Sequence, residues 1–209
     1  MLVLENVTKQ YKAGRPVFSG YSATFPPGNI VGLIGPNGSG KTTFLRLLSL
    51  NSYPTEGSIF FEGTDIHAFP PEYLKETGLV HDEEVLPIHL TARELLEWIM
   101  RSRNRWEEEN QPMKQIDNIL DRLSLADRDE RIGTFSTGMR KKTQIAAAMI
   151  LKPKILIMDE PLRGLDKSTR IVVSKLISEA KKNGALVLMS SHSMDPDDKI
   201  FDEIIEFPL

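Results

Sequence analysis

The sequence contains no cysteine in 209 residues, which excludes disulfides and cysteine-ligated metal sites and fits a reducing cytosol. It also lacks any apolar run near the roughly 18 residues that a membrane-spanning helix needs. The opening stretch "MLVLENVTKQY" lacks the charged and apolar regions of a secretory signal and reads as a first strand. A role at a membrane therefore requires another chain to supply the membrane part. Charge of one sign is scarce too: a net charge of −3 and a pI near 5.9 give no global case for binding nucleic acid. Repeats and low-complexity tracts are absent. What remains, 40% hydrophobic and 26% charged residues, is globular composition in a chain long enough for one sizeable domain.

The first part is rich in strand signals: Leu2–Val7, Tyr21–Phe25, Ile30–Ile34 and Ser58–Glu62, with Pro26-Pro27-Gly28 as a turn. A helix is expected from about Gly40 to about Leu50. Helical spacing recurs over Thr91–Arg103 and Pro112–Leu125. From Met139 the order becomes helix, strand, helix, strand, and the runs "ILIM" (155–158) and "ALVLM" (185–189) suit strands buried on both faces of a parallel sheet. The pattern predicts a single α/β domain over 1–209, with a helical insert near 83–135. The charge run "RSRNRWEEEN" (101–110) reads as a solvated helix end.

Between an apolar strand and a helix lies "GPNGSGKTT" (35–43), which fits Gly-x-x-x-x-Gly-Lys-Thr in the context that pattern requires. Successive backbone N–H groups there can curl around phosphate oxygens, and glycines keep side chains out of the way. The helix N-terminus adds partial positive charge. Lys41 is expected at the β- and γ-phosphates and the Thr42 hydroxyl on Mg²⁺. Gly35, Pro36, Asn37, Gly38, Ser39, Gly40, Lys41, Thr42 and Thr43 thus form the expected nucleotide cradle. The loop alone does not name a function, because kinases, GTPases, motors and transporters share it.

In "ILIMDEP" (155–161), four apolar residues deliver Asp159 to the carboxyl end of a buried strand, where open α/β sheets bind ligands. Asp159 can bind Mg²⁺, and Glu160 beside it can serve as the general base that hydrolysis needs. A third stretch, "FSTGMRKK" (135–142), puts Ser136, Thr137 and Gly138 at a helix start, where Ser136 alone would pass for an N-cap.

Together, in this order and spacing, the three stretches resemble the phosphate loop, acidic strand end and signature of ATP-binding-cassette (ABC) ATPases. The resemblance covers essentially the whole chain. It implies a P-loop NTPase core with a mostly parallel sheet, an N-terminal antiparallel β subdomain and an inserted helical subdomain. It also implies ATP and Mg²⁺ as cofactors, and a second ABC ATPase subunit, identical or different. Ser136, Thr137 and Gly138 of one cassette would then complete the phosphate site of the other. Tyr11 matches the aromatic that stacks on adenine, His192 in "LMSSH" the switch histidine near the γ-phosphate, and Gly164-Leu165-Asp166 the loop that crosses the dimer interface.

Departures from the family pattern are local. Where a glutamine usually touches Mg²⁺ and the attacking water, "TGLVHDEEVL" (77–86) offers Asp82, with Glu83 as its rival. Thr137 replaces the first signature glycine, which is tolerable if its φ is negative. Leu162-Arg163 stand where small or polar residues usually lie, and Arg163 could offer a new bond across the dimer. With Lys41, Asp159, Glu160 and His192 retained, an active ATPase is expected. The resemblance implies the ATPase subunit of a transporter, cytoplasmic and peripheral to the membrane. Its partners would be transmembrane permease subunits on separate chains. The wording "EPLRGLD" and "STGMRKK" is closer to exporters, and the short chain leaves no appended regulatory domain. The alternatives are a cassette acting on nucleic acid or the ribosome, disfavoured by the lack of sustained heptads, and a P-loop kinase, which leaves Glu160 without a purpose.

Overall fold

Alternating apolar residues at the start of the chain build a long hairpin, β1 (Leu2–Lys12) with β2 (Arg15–Phe25). Leu2 and Leu4 are buried, and the buried positions resume out of step at Val7. The phase slips because Asn6 takes a left-handed φ of 49° where the register shifts. Gly57 lies against this bulge, and a Cβ there would stand 2.4 Å from the carbonyl oxygens of Glu5 and Asn6. With β4 (Glu56–Phe61) and β5 (Thr64–Asp65) the hairpin forms an antiparallel sheet in the order β2-β1-β4-β5. The computed structural model describes residues 1–82, 85–106, 111–191 and 200–209.

The second sheet is parallel throughout, in the order β6-β7-β8-β3-β9. Its strands are β3 (Ile30–Ile34), β6 (Thr77–Val80), β7 (Ile155–Met158), β8 (Leu186–Ser191) and β9 (Glu203–Glu206). Successive residues feed opposite cores, as the period of two in a strand demands. Ile155, Ile157, Leu186 and Leu188 join the antiparallel sheet and α1 (Lys41–Leu48) in one core. Leu156, Met158, Val187 and Met189 join the helical side in the other.

That second core also contains α3 (Ala92–Ser102), α4 (Gln111–Arg122), α5 (Thr137–Met149) and α6 (Lys167–Lys182). The helices between β6 and α5 therefore share buried surface with the sheet. Thr91 caps α3 with a reciprocal box: its hydroxyl accepts from the Glu94 N–H, and Glu94 accepts from the Thr91 N–H. Arg93 pairs with Asp117 and Asp129, tying α3 to α4 and to the turn beyond it.

Several elements differ from the sequence expectation. β1 and β2 run longer than the apolar stretches that mark them. The short helix α2 (Pro70–Lys75), the strand β6 and the edge strand β9 carry no clear pattern. Gly78 weakens the strand signature of β6, and the structure needs it: a Cβ there would come within 2.1 Å of the Ala148 carbonyl in α5. In β9 three of four residues are exposed, and two of those are glutamates, so no alternation is visible.

Candidate functional site

The loop from Gly35 to Gly40 joins β3 to α1, and two of its three glycines, Gly35 and Gly40, lie tight against the protein around them, whereas Gly38 faces open space. A Cβ at Gly35 would lie 2.5 Å from the Phe207 carbonyl oxygen. One at Gly40, where φ is 110°, would lie 2.7 Å from Val17 on β2. Clearance from the packed walls is thus a second reason for these glycines, beside access for phosphate. Lys41 is only 5% exposed, and its ammonium donates to the carbonyls of Gly35 at 2.5 Å and Pro36 at 3.0 Å. The cation occupies the mouth of the loop. The Ser39 hydroxyl is buried there with no hydrogen-bond partner among the described residues, as expected of a group whose acceptor arrives with the ligand.

Thr42, Asp82 and Asp159 line one cleft of about 450 Å³ with His81 and Arg46. Asp159 follows the last residue of β7 and is 7% exposed. Its Oδ1 accepts from the Ser190 hydroxyl at 2.6 Å, and the same hydroxyl oxygen accepts from the Glu160 N–H at 2.9 Å. One serine on β8 therefore aims the first acidic residue and fixes the backbone of the second. Glu160 adopts φ 47°, a left-handed conformation that disfavours any side chain other than glycine and concentrates at functional sites.

Among the described residues no group of three His, Cys, Asp or Glu is arranged to hold a metal. The donor set still suits Mg²⁺ at a phosphate site, where one or two carboxylates and a hydroxyl share the ion with phosphate oxygens and water. Thr42 and Asp159 supply that minimum, and Asp82 offers a further carboxylate.

Asp82 follows β6, and its position depends on residues of α5 to which the sequence assigned no role. Lys141 on α5, 2% exposed, donates to the carbonyls of His81 at 2.9 Å and Asp82 at 3.2 Å. Gln144, oriented to satisfy both groups, donates to the His81 carbonyl at 3.0 Å and accepts from the His81 N–H at 3.2 Å. Burial pushes the His81 imidazole below its ordinary pKa, Asp159 opposes that shift, and Arg46 and Lys141 reinforce it. Arg163 reaches Asp82 and Glu160 within its own chain.

The signature-like residues stand apart. Ser136 is the N-cap of α5, its hydroxyl accepting from the Met139 N–H at 3.3 Å. Thr137 opens the helix without a positive φ, so its Cβ causes no backbone strain. Ser136 and Thr137 are exposed, and neither they nor Gly138 line the cleft with Thr42 and Asp159. Tyr11, 59% exposed near the tip of the β1–β2 hairpin, has Lys9 over its ring at 4.9 Å. Glu83 and His192 lie outside the described residues.

A glycine-rich loop at the carboxyl edge of a parallel sheet, with an acidic pair just past the end of a nearby strand, defines the class of P-loop nucleotide hydrolases. The chain belongs to the ABC transporter family, whose sequence profile matches residues 18–163. The ABC transporter ATP-binding protein NatA of Bacillus subtilis is 32% identical, over 98% of this chain and 85% of that protein. The phosphonates import ATP-binding protein PhnC 2 of a Synechococcus strain is also 32% identical, over 93% of this chain and 77% of its own length. The doxorubicin resistance ATP-binding protein DrrA of Mycobacterium tuberculosis is 29% identical, over 98% of this chain and 62% of its own. Among solved structures, the ATP-binding subunit of an ABC transporter superposes with a TM-score of 0.90 at 26% identity, covering 99% of this chain and 85% of that one. A dimeric ATP-binding cassette in a post-hydrolysis state, bound to ADP and Pi, gives 0.88 at 25%, covering 99% and 94%. The chain is an ATP-binding, ATP-hydrolysing transporter component that uses ATP with Mg²⁺. Among the described residues no helix is long and apolar enough to cross a membrane.

Proposed function

We propose that two such cassettes close head to tail around MgATP and drive transmembrane permease subunits carried on separate chains. The reading rests on one observation: Thr42, Asp82 and Asp159 line one cleft, Lys41 next to Thr42 binds the carbonyls of the glycine-rich loop, and Ser136 and Thr137 are left exposed. A helix N-terminus presenting Ser136, Thr137 and Gly138 suits a phosphate brought by another subunit. A solved relative that is itself dimeric and bound to ADP and Pi lends support.

In this reading Lys41 exchanges the loop carbonyls for the β- and γ-phosphate oxygens. Thr42 and Asp159 hold Mg²⁺, with Asp82 as a further ligand. The ion, when bound, withdraws charge from the phosphate oxygens. Ser190 keeps Asp159 from rotating away. Glu160 takes the proton of the attacking water, and Tyr11 receives the adenine. Ser136 of the partner subunit completes the γ-phosphate cradle, and His192 contributes from beyond β8.

The assembly sits at the cytoplasmic face of a membrane. Export is the favoured direction: the Asp82 variant and the wording of residues 160–166 lean that way, and DrrA is named for drug resistance. PhnC 2, named for import, pulls in the opposite direction, and transport assays with the cognate permease decide between them.

Glu160→Gln tests the core of the reading. With MgATP the variant is expected to elute as a dimer and to turn over at least about a hundredfold more slowly, a typical share of general-base catalysis. A wild-type rate in this variant rules out Glu160 as the base.

A further inference from the structure

The segment after the acidic pair turns sharply, and the Arg163 N–H donates to the Glu160 carbonyl at 3.2 Å. That turn brings the Arg163 side chain to Asp82, one of the residues that line the cleft. Its Nη1 stands 3.3 Å from Oε2 of Glu160, and 3.3 and 3.4 Å from the two carboxylate oxygens of Asp82. One guanidinium nitrogen thus bridges two carboxylates that come from different strands of the sheet, β6 and β7.

Charge explains why such a bridge is useful here. Asp82, Asp159 and Glu160 put three acidic side chains around a site that must admit a triphosphate. An uncharged residue at position 82 would leave two. Arg163 returns the charge that Asp82 adds, and Glu160 shares the same guanidinium. Arg163 is 63% exposed and Asp82 45%, so the guanidinium can release Asp82 as nucleotide enters without burying a bare charge, while its contact with Glu160 stays in place.

We propose that Asp82 and Arg163 work as one unit. Arg163 is a positioning residue that offsets the extra carboxylate and holds Glu160 facing the γ-phosphate end of the cleft. The inference rests on the role proposed above for Glu160, and it adds a pairing within one chain to a segment expected to serve the dimer interface.

The experiment compares wild type, Arg163→Ala, Arg163→Lys, Asp82→Gln and the Asp82→Gln/Arg163→Ala double variant. For each, affinity for a fluorescent ATP analogue is measured with and without Mg²⁺, together with kcat, KM and the melting temperature. Arg163→Ala is expected to weaken nucleotide affinity about three- to tenfold and to lower kcat about tenfold, with the melting temperature nearly unchanged, as fits an exposed cation beside acidic groups. Arg163→Lys, which keeps the charge, is expected to recover most of the affinity. The Asp82→Gln/Arg163→Ala double variant is expected to bind nucleotide within about twofold of Asp82→Gln alone, because the carboxylate needing compensation is gone.

If Arg163→Ala weakens nucleotide affinity by the same factor whether residue 82 is Asp or Gln, the unit does not exist and the proposal fails. It fails equally if Arg163→Ala matches wild type. Glu160→Gln run in parallel separates the two ideas: slow turnover there with no Asp82–Arg163 coupling removes only this inference, whereas normal turnover removes the catalytic reading beneath it.

Discussion

Ser190 Oγ stands 2.6 Å from the Asp159 carboxylate and 2.9 Å from the Glu160 amide, so a single hydroxyl serves as donor to one acidic residue and acceptor for the next. Ser190 is 1% exposed, and water cannot readily take its place. Ser190→Ala should cost about 1–3 kcal/mol of stability, the range for leaving a buried polar group without its partner. Turnover should fall about tenfold, which corresponds to 1.4 kcal/mol of lost transition-state stabilisation. Urea unfolding and steady-state ATPase assays check the two effects separately. A variant with normal turnover would show that Asp159 keeps its aim without Ser190. The left-handed φ of Glu160 redirects the chain just after the amide that Ser190 holds.

Among the elements, α3 shows how far local sequence can carry a helix. Thr91→Ala removes a hydroxyl that satisfies the Glu94 N–H and opens the reciprocal box, for an expected loss of about 1 kcal/mol. Nucleotide affinity should not change, because α3 lends no residue to the phosphate cleft. A shifted melting temperature together with altered nucleotide binding would contradict this. The turn after β5 carries a pH dependence. His67 is half-buried, burial lowers its pKa, and its Nε2 lies 3.1 Å from the Ser52 carbonyl. The unfolded chain, with an ordinary value of about 6.5, therefore takes up a proton before the folded one does. Stability should hold above that pH and decline as the pH falls through it toward the lower folded value. Replacing His67 by Gln should flatten the slope between neutral pH and mildly acidic pH in urea denaturation; an unchanged slope would place the titration elsewhere.

On the scale of the whole molecule, the phosphate loop lies against both sheets. Val17 from the antiparallel sheet and Phe207 just beyond the parallel edge strand β9 lie against Gly40 and Gly35, two of its three glycines. The signature-like helix start is turned to solvent, while deeper in the same helix Lys141 and Gln144 grip the backbone around Asp82. Helix α5 thus links the exposed Ser136 end to one wall of the nucleotide cleft. Ser136→Arg tests the arrangement proposed for two subunits. Nucleotide binding to single chains should be unaffected, ATP-dependent dimerisation should be lost, and hydrolysis should fall to a small fraction of wild type. Full hydrolysis in that variant would show that each chain completes its own site.

Much of this was legible along the chain. "ILIM" and "ALVLM" are too continuously apolar to be anything but deeply buried, and β7 and β8 are interior strands of the parallel sheet. The start of β8 moved by one residue, and the strand continued through Ser190 and Ser191, whose polarity hid it. The hairpin was visible only where its residues alternate. Beyond Val7 the bulge at Asn6 and exposure on both faces erased the pattern.

By itself the sequence determined where phosphate can be held and where acid can stand beside it. Those properties depend on backbone shape and residue type within a few consecutive positions. Only the tertiary structure decided which groups aim them. Ser190, Lys141, Gln144, Val17 and Phe207, and Arg163 toward Asp82, act across intervals that no local pattern spans, and a serine or a lysine looks the same in sequence whether it faces water or a buried partner.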